Sequence, residues 1–414
     1  MLEARACKGI RPRTYRIYRT KATATWIFAD TTAMANDQTE AVDDLHVLFI
    51  GLGALGSIYS WLLSRSPLQP RITCVARSNY QAVTDAGGVT IKSLKYGTFG
   101  PWKPNVLLRE GEQGAKTASR DRYDFVIVTA KAILERKMSD SIKPYLRPLQ
   151  QGEKGPTIVL IQNGIGIEEE VHSALVPSHA NGVLSGIAWI GAQLREAGTI
   201  VEHGGLERLE VGTFPSETLT ETMHPELNSF CELWNSAGGV SVPCADIQPL
   251  RWSKIFWNAA WGGACLMARQ SVDVVLSPVN IAYTIPVVRR IMLEVLAVAR
   301  SCGIGEDVLP ASSVDQSFEL TYSSRPGQET NNLTSRFKPS ILVDLEAGRP
   351  MELQAIFGKC VQLARRNGVD TPRLDMIIAA LAPNQAIALE STGGAAEEAF
   401  EVGLPDGRPV GLSS

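Results

Sequence analysis

The sequence predicts an α/β protein, a Rossmann-type doubly wound sheet followed by an all-helical C-terminal domain. Three observations predict it. A short apolar run at residues 45–50 ends on the glycine turn Gly51-Leu52-Gly53-Ala54-Leu55-Gly56 and leads into helix-compatible residues up to position 64. Further short apolar runs alternate with helical stretches, the pattern of parallel strands buried on both faces. From Pro249 onward only helical patterns remain.

Along the chain, the second strand is expected at 71–75 and two near-continuous apolar strands at 124–129 and 157–162, with a helix between them over about 133–146. Residues 182–190, 199–202 and 207–212 read as strands that extend the same sheet, with antiparallel pairing left open. Helices follow at 250–268, 279–301, 351–367 and 372–389, and 323–335 is polar and marked by proline and glycine, as a loop is. These elements divide the chain into an extension (1–44), a dinucleotide-binding domain (45–246), a helical substrate domain (247–390) and a tail (391–414) expected to be disordered.

Over residues 1–29 the extension carries Arg5, Lys8, Arg11, Arg13, Arg16, Arg19 and Lys21 against one acid, Glu3. That is the composition of a mitochondrial transit peptide, and it is also compatible with an unstructured extension ahead of a second start at Met34. We take the extension as disordered and the protein as cytoplasmic, with mitochondrial import as the alternative.

With 414 residues, 44% of them hydrophobic, the chain can bury two cores. A net charge of -3 gives no electrostatic case for nucleic acid or an anionic membrane and favours a small-molecule substrate. The longest apolar stretch, 285–298, is broken by Arg289, Arg290 and Glu294, so no integral membrane contact is expected. Seven scattered cysteines without a Cys-x-x-Cys spacing suggest neither a disulfide framework nor a metal site. A homodimer is open, because the 279–301 helix could pack within its own domain or across two chains.

The glycine turn carries the first chemistry. Gly51 permits the tight turn, Gly53 lets a pyrophosphate approach the backbone, and Gly56 lets helix pack on strand, with the amides around Ala54 and Leu55 facing the phosphates. At the end of the second strand, where an NAD enzyme places an acid for the ribose 2′-hydroxyl, stands Arg77 in Val75-Ala76-Arg77-Ser78. An arginine there favours a 2′-phosphate and hence NADP(H), the plain alternative being a solvated surface residue.

Lys131 and Asn163-Gly164 each follow a predicted strand, at the sheet edge that carries ligands in open α/β folds. Taken singly they read equally as a surface lysine and a turn. Lys254 and Asn258 lie four apart on an aromatic-rich helix and share a face. In a carbonyl reduction an ammonium so placed stabilises and protonates the alkoxide that forms on oxygen; a solvated polar stripe is the other reading. Glu352 follows Pro350 at a helix start, where an acid is ordinarily only a favourable charge for the helix dipole.

Together, these stretches resemble the ketopantoate reductase family: the glycine turn, Val128-Thr129-Ala130-Lys131, Gln162-Asn163-Gly164, Trp252-Ser253-Lys254 with Asn258, and Ser340 through Asp344, Ala347-Gly348-Arg349 and Glu352. The resemblance covers roughly residues 45–381. It implies NADPH-dependent reduction of 2-dehydropantoate, a 2-oxo acid, to pantoate in a cleft between a dinucleotide domain and a helical domain. It further implies that Lys254 is the catalytic lysine, that Asn163 and Asn258 orient it or the substrate, and that Ser340 and Glu352 bind the substrate's carboxylate and hydroxyl groups. Lys131 would support the nicotinamide side.

One position departs from the family pattern: Gly262-Gly263 stands where a second asparagine is usual, one turn beyond Asn258. With Trp257 and Trp261 expected beside it, the pocket could be shaped for another ketone or an imine. A non-catalytic protein that responds to NADP(H) is the alternative of a different class.

Overall fold

The computed structural model describes residues 45–216, 224–323 and 337–393. The basic extension at 1–44, most of the 323–335 loop and the tail beyond 393 lie outside the described residues.

Among the described residues ten strands form one sheet: β1 (His46–Ile50), β2 (Arg71–Ala76), β3 (Val89–Ser93), β4 (Gly97–Trp102), β5 (Val106–Arg109), β6 (Phe125–Val128), β7 (Thr157–Ile161), β8 (Gly182–Arg195), β9 (Ile200–Phe214) and β10 (Ser241–Pro243). Their order is β4-β3-β9-β8-β7-β6-β1-β2-β5, with β10 paired to β9. The stretch β5-β2-β1-β6-β7-β8 is parallel throughout. Counted in chain order, those six strands have the 3-2-1-4-5-6 arrangement of a dinucleotide-binding sheet, and the order reverses between β1 and β6.

The strands read as continuous apolar runs because both faces are covered. In β1, Val47 and Phe49 enter one core with Ile58, Tyr59 and Leu62 of the Ala54–Leu63 helix and Phe230 and Trp234 of the Pro225–Ser236 helix. Leu48 and Ile50, alternating to the other face, pack with Ile142, Val171 and Leu175. The expected strands at 199–202 and 207–212 are a single strand, β9, antiparallel to β8 in a long hairpin.

The expected helix at 133–146 is mostly absent. Helix occupies only Met138–Ile142 with a 3₁₀ turn at Lys143–Tyr145. Residues 131–136 form local turns instead, Ile133 N donating to the Lys131 carbonyl (3.1 Å) and Arg136 N to the Ile133 carbonyl (3.0 Å), while the Ala132 amide donates to Glu352 Oε1 (3.2 Å) and Arg136 Nη2 to the Leu389 carbonyl (3.3 Å).

The C-terminal region is helical. Its centre is the Gln248–Ala268 helix, which packs against Ile281–Ser301, Ser312–Tyr322, Ser340–Glu346 and Pro372–Ser391 around a core that includes Trp261, Met292, Leu342 and Phe357. The helix expected at 351–367 opens instead with a π segment, Gln354–Gly358, and continues as an α-helix over Lys359–Arg366. Among the described residues, no helix is long and apolar enough to cross a membrane.

Candidate active site

The glycine turn sits at the strand-order reversal, gripped from both sides. Gly51 and Leu52 donate their amides to the Val75 carbonyl at the end of β2 (3.2 and 3.1 Å), and Thr129 Oγ1 after β6 donates to the Gly51 carbonyl (2.6 Å). Gly51 has φ +101°, and a Cβ there would stand 2.6 Å from the Ala130 nitrogen. A Cβ on Gly56 would stand 1.9 Å from the Gly51 carbonyl oxygen. Only glycine serves at either position. Gly53 differs, since a Cβ on it would meet nothing within 4 Å.

Gly53 also begins the Ala54–Leu63 helix, and no side chain caps that terminus. The amides of its first turn are thereby left for a ligand, and the open space around Gly53 admits the approach of a pyrophosphate. These residues fit a dinucleotide. Arg77, at the end of β2, is exposed and lies 3.8 Å from Glu110.

The residues after β6 and β7 meet the helical region. Glu352 is buried, and its carboxylate takes Asn163 Nδ2 on Oε2 (3.0 Å) and the Ala132 amide on Oε1 (3.2 Å), with Lys131 Nζ 3.6 Å from Oε2. Lys131 Nζ lies closer to Asp344 Oδ2, at 2.7 Å, and Arg349 holds the other oxygen of that carboxylate through Nε (3.1 Å) and Nη2 (3.0 Å). Burial pushes the Lys131 ammonium down, but Glu352 and Asp344 outweigh it and hold its pKa above the ordinary value.

Asn163 reaches Asn258 as well, with Asn258 Nδ2 at 3.5 Å from Asn163 Oδ1. The Asn163-Gly164 turn is more than a loop. Gly164 has φ +106°, and a Cβ there would stand 2.6 Å from Ala355 Cβ, in the π segment that follows Glu352. That close approach carries Asn163 to Glu352.

Lys254 donates to the Ala188 carbonyl, and its ammonium stands 5.4 Å from the centre of the Trp189 ring. Burial lowers its pKa from the usual lysine value to about 8; Arg251 lowers it further, while Glu352 and Glu210 oppose the shift. Lys254 and Asn163 line one small cleft with Gln162, Gly164, Ile187, Arg251 and Ile255, at the carboxyl end of β7 and beside the middle of β8.

Ser340 is exposed at the first position of the Ser340–Glu346 helix, one residue before Ile341, which a Cβ on Gly262 would meet at 3.6 Å. Two expectations for this neighbourhood are corrected. Trp261 does not line the cleft: it is fully buried and stacks on Phe318 at 5.8 Å, while Trp257 Nε1 donates to Thr321 Oγ1 (2.7 Å). Gly263 faces the helical core, where a Cβ would stand 2.8 Å from Ile377 Cδ1.

Sequence reasoning passed over Arg251 and Glu168. Both are buried and joined at 2.5 Å, and Arg251 further donates to Ser185 Oγ (2.8 Å) and to the carbonyls of Gln162 (3.0 Å), Gly164 (3.1 Å) and Gly186 (3.4 Å). An arginine in a helix otherwise lined with tryptophan and phenylalanine was the available signal, because a buried guanidinium needs partners.

Comparison with known proteins agrees with this architecture. Residues 47–216 match the family model described as ketopantoate reductase PanE/ApbA, and residues 246–385 match its C-terminal counterpart. The uncharacterized protein YDL144C of Saccharomyces cerevisiae is 30% identical over 84% of this chain and 95% of its own. The 2-dehydropantoate 2-reductase of a Nostoc species is 23% identical over 79% and 91%. Among solved structures, 2-dehydropantoate 2-reductase from Methylococcus capsulatus superposes with a TM-score of 0.64 at 27% identity, over 86% of this chain and 99% of that one.

Proposed function

The chain belongs to the ketopantoate reductase family of NAD(P)-dependent oxidoreductases, and from that premise we propose that it reduces a 2-oxo acid with NADPH, 2-dehydropantoate to pantoate being the favoured reaction. The observation that carries the reading is that Lys254 and Asn163 line one cleft at the carboxyl end of β7, the sheet edge where open α/β sheets bind ligands.

The dinucleotide would be held by the amides of the Gly51–Gly56 turn at the start of the Ala54–Leu63 helix, with Arg77 at the 2′-phosphate. The chemistry a reduced nicotinamide supplies is a hydride to the carbonyl carbon. This chain's residues manage the oxygen. Lys254 stabilises the developing alkoxide and gives it a proton, a role that suits an ammonium whose pKa lies at about 8. Asn163, held by Glu352 and by Asn258, offers an amide fixed in orientation before substrate arrives. Lys131 lines the nicotinamide side, tied to Asp344 and Glu352. Ser340 is assigned to the substrate carboxylate, and Glu352, whose carboxylate already serves Asn163 and Ala132, to the substrate hydroxyl.

The test is NADPH oxidation by the full chain over a panel of 2-oxo acids and other ketones. Turnover of 2-dehydropantoate with a preference for NADPH supports the reading. Strong turnover of a different ketone with none of 2-dehydropantoate favours a second reading, a reductase of the same architecture with another substrate. Gly262 motivates that second reading, since it presents no amide where the family commonly has one.

A further inference from the structure

The strand β8 is longer than its neighbour. Its pairing with β7 ends at Ile161 and Gly186, so past Gly186 its strand partner among the described residues is β9 alone. The Gln248–Ala268 helix takes over the vacated edge. Arg251 donates to the Gly186 carbonyl, and Lys254, one helical turn on, donates to the Ala188 carbonyl two strand residues further. Carbonyls two residues apart point to the same edge of a strand, so the two cations satisfy consecutive acceptors that would otherwise lack partners.

On the face of the same hairpin stands Trp189. It is opposite Arg208 in the β8–β9 register and diagonal to Glu210, which is opposite Ile187. Diagonal neighbours are within reach of an aromatic side chain, and Trp189 Nε1 donates to Glu210 Oε2 at 2.9 Å. Glu210 is itself buried and fixed by Arg208, whose Nε and Nη2 lie 3.2 and 2.9 Å from Oε1. The indole is thus locked by its nitrogen, and its face is turned to the Lys254 ammonium at 5.4 Å.

We infer that Trp189, anchored by Glu210, is a positioning residue: it is the platform that holds the ammonium of Lys254 in place at the cleft. The inference rests on the reading of Lys254 as the proton donor. A ring face attracts a cation wherever water is scarce, and this one holds the ammonium in the cleft that Ile187 and Asn163 also line. The charged groups facing Lys254 are Arg251 from its own helix, Glu210 from β9 and Glu352 from the segment beside Asn163. Glu210 therefore acts twice, through the indole it orients and through its own charge.

The experiment compares Lys254→Ala, Trp189→Leu, Trp189→Phe and Glu210→Gln in the full chain. Two measurements are made on each: kcat against pH, and the reactivity of Lys254 toward trace acetic anhydride against pH, read by mass spectrometry in those variants that keep the lysine. The second needs no substrate. Trp189→Leu is expected to lower kcat roughly 3- to 30-fold. It should also move the reactivity midpoint of Lys254 downward, because the neutral amine gains when the ring face is lost. Trp189→Phe, which keeps a face, should restore most of both. Glu210→Gln keeps an acceptor for the indole but removes a carboxylate, so it too should lower the midpoint.

If Trp189→Leu changes KM alone and leaves both kcat and the Lys254 midpoint in place, the ring is a wall of the pocket and the platform is refuted. If Trp189→Phe behaves like Trp189→Leu in a protein that still melts normally, the face-on contact is refuted. If Lys254→Ala turns over as fast as the parent chain, the reading of Lys254 as donor fails first. An impaired Lys254→Ala beside an unaffected Trp189→Leu overturns the platform only.

Discussion

Lys254 is a half-buried ammonium bonded to a carbonyl rather than to a carboxylate, which is why desolvation prevails and its pKa falls to about 8. The sign of the consequence follows from its role. In reduction the protonated amine is the working form, so kcat should hold below about pH 8 and fall as pH rises through that value; in the reverse oxidation the limb should rise instead. Lys254→Ala should lower the chemical rate by roughly 10²-fold or more and abolish the limb in a pH profile. An unchanged profile would remove Lys254 from the mechanism. Arg77 makes a prediction of the opposite kind, confined to binding. Its guanidinium is exposed, with Glu110 at 3.8 Å as its ion-pair partner, so it is free to turn to a 2′-phosphate. Arg77→Ala should weaken NADPH binding by roughly tenfold or more while leaving NADH within about twofold, measured by titration calorimetry. Equal losses for both cofactors would refute the assignment.

At the scale of elements, what was legible in the sequence is what is buried on both sides. Val126-Ile127-Val128 and Ile158-Val159-Leu160-Ile161 could hardly be anything but central strands, and the glycine turn named its own position. The strand β4 carried no such signal: Gly97-Thr98-Phe99-Gly100-Pro101-Trp102 is an exposed edge with two glycines and a proline, and edges need no apolar period. Residues 132–136 misled for the reverse reason, being helix-compatible yet held at Ala132 and Arg136 by tertiary bonds to Glu352 and Leu389. Of the candidate site, the motif residues were legible one by one, but Glu352 as the partner of Asn163 was not, since 189 residues separate them. Their meeting depends on Gly164, whose left-handed backbone lets the turn dock on the π segment at Ala355. Such π segments are frequent at functional sites. Gly164→Ala should cost about 1–3 kcal/mol of stability, because the residue must adopt φ +106° and its methyl must displace Ala355. Chemical denaturation measures that cost, and kcat should fall with it as Asn163 is pushed from Glu352. A variant with parental stability and kcat would mean that the turn relaxes without consequence.

Across the molecule, the sheet and the helices exchange residues: Ile165, from beyond β7, lies in the helical core, while Ala355, from the helical region, lies in a sheet core. The amide of Ile165 donates to the Ala355 carbonyl (3.2 Å), so the exchange is stitched by backbone. Arg251 completes the junction. Its guanidinium is 2% exposed and joins the Gln248–Ala268 helix to β8 through Ser185 and Gly186, to the end of β7 through Gln162 and Gly164, and to Glu168. A buried pair of this kind is costly to break from one side, because the charge left behind keeps its desolvation penalty and loses its partner. Arg251→Met should therefore destabilise the protein by about 3–5 kcal/mol. Adding Glu168→Gln should recover part of that, since the orphaned charge goes, but not all, since three carbonyls and Ser185 still lack their donor. The difference between the single and double variants in urea unfolding isolates the charge. The same lesion should reach the chemistry. Arg251 and Lys254 occupy one face of one helix and serve neighbouring carbonyls of β8, so loosening the first shifts the second. In Arg251→Met, kcat should fall further than NADPH affinity, because the glycine turn is gripped by Val75 at the end of β2 and Thr129 after β6, and Arg251 bonds to neither. Loss of NADPH binding equal to the loss of kcat would show that the junction holds the sheet itself together, rather than holding the helical region to it.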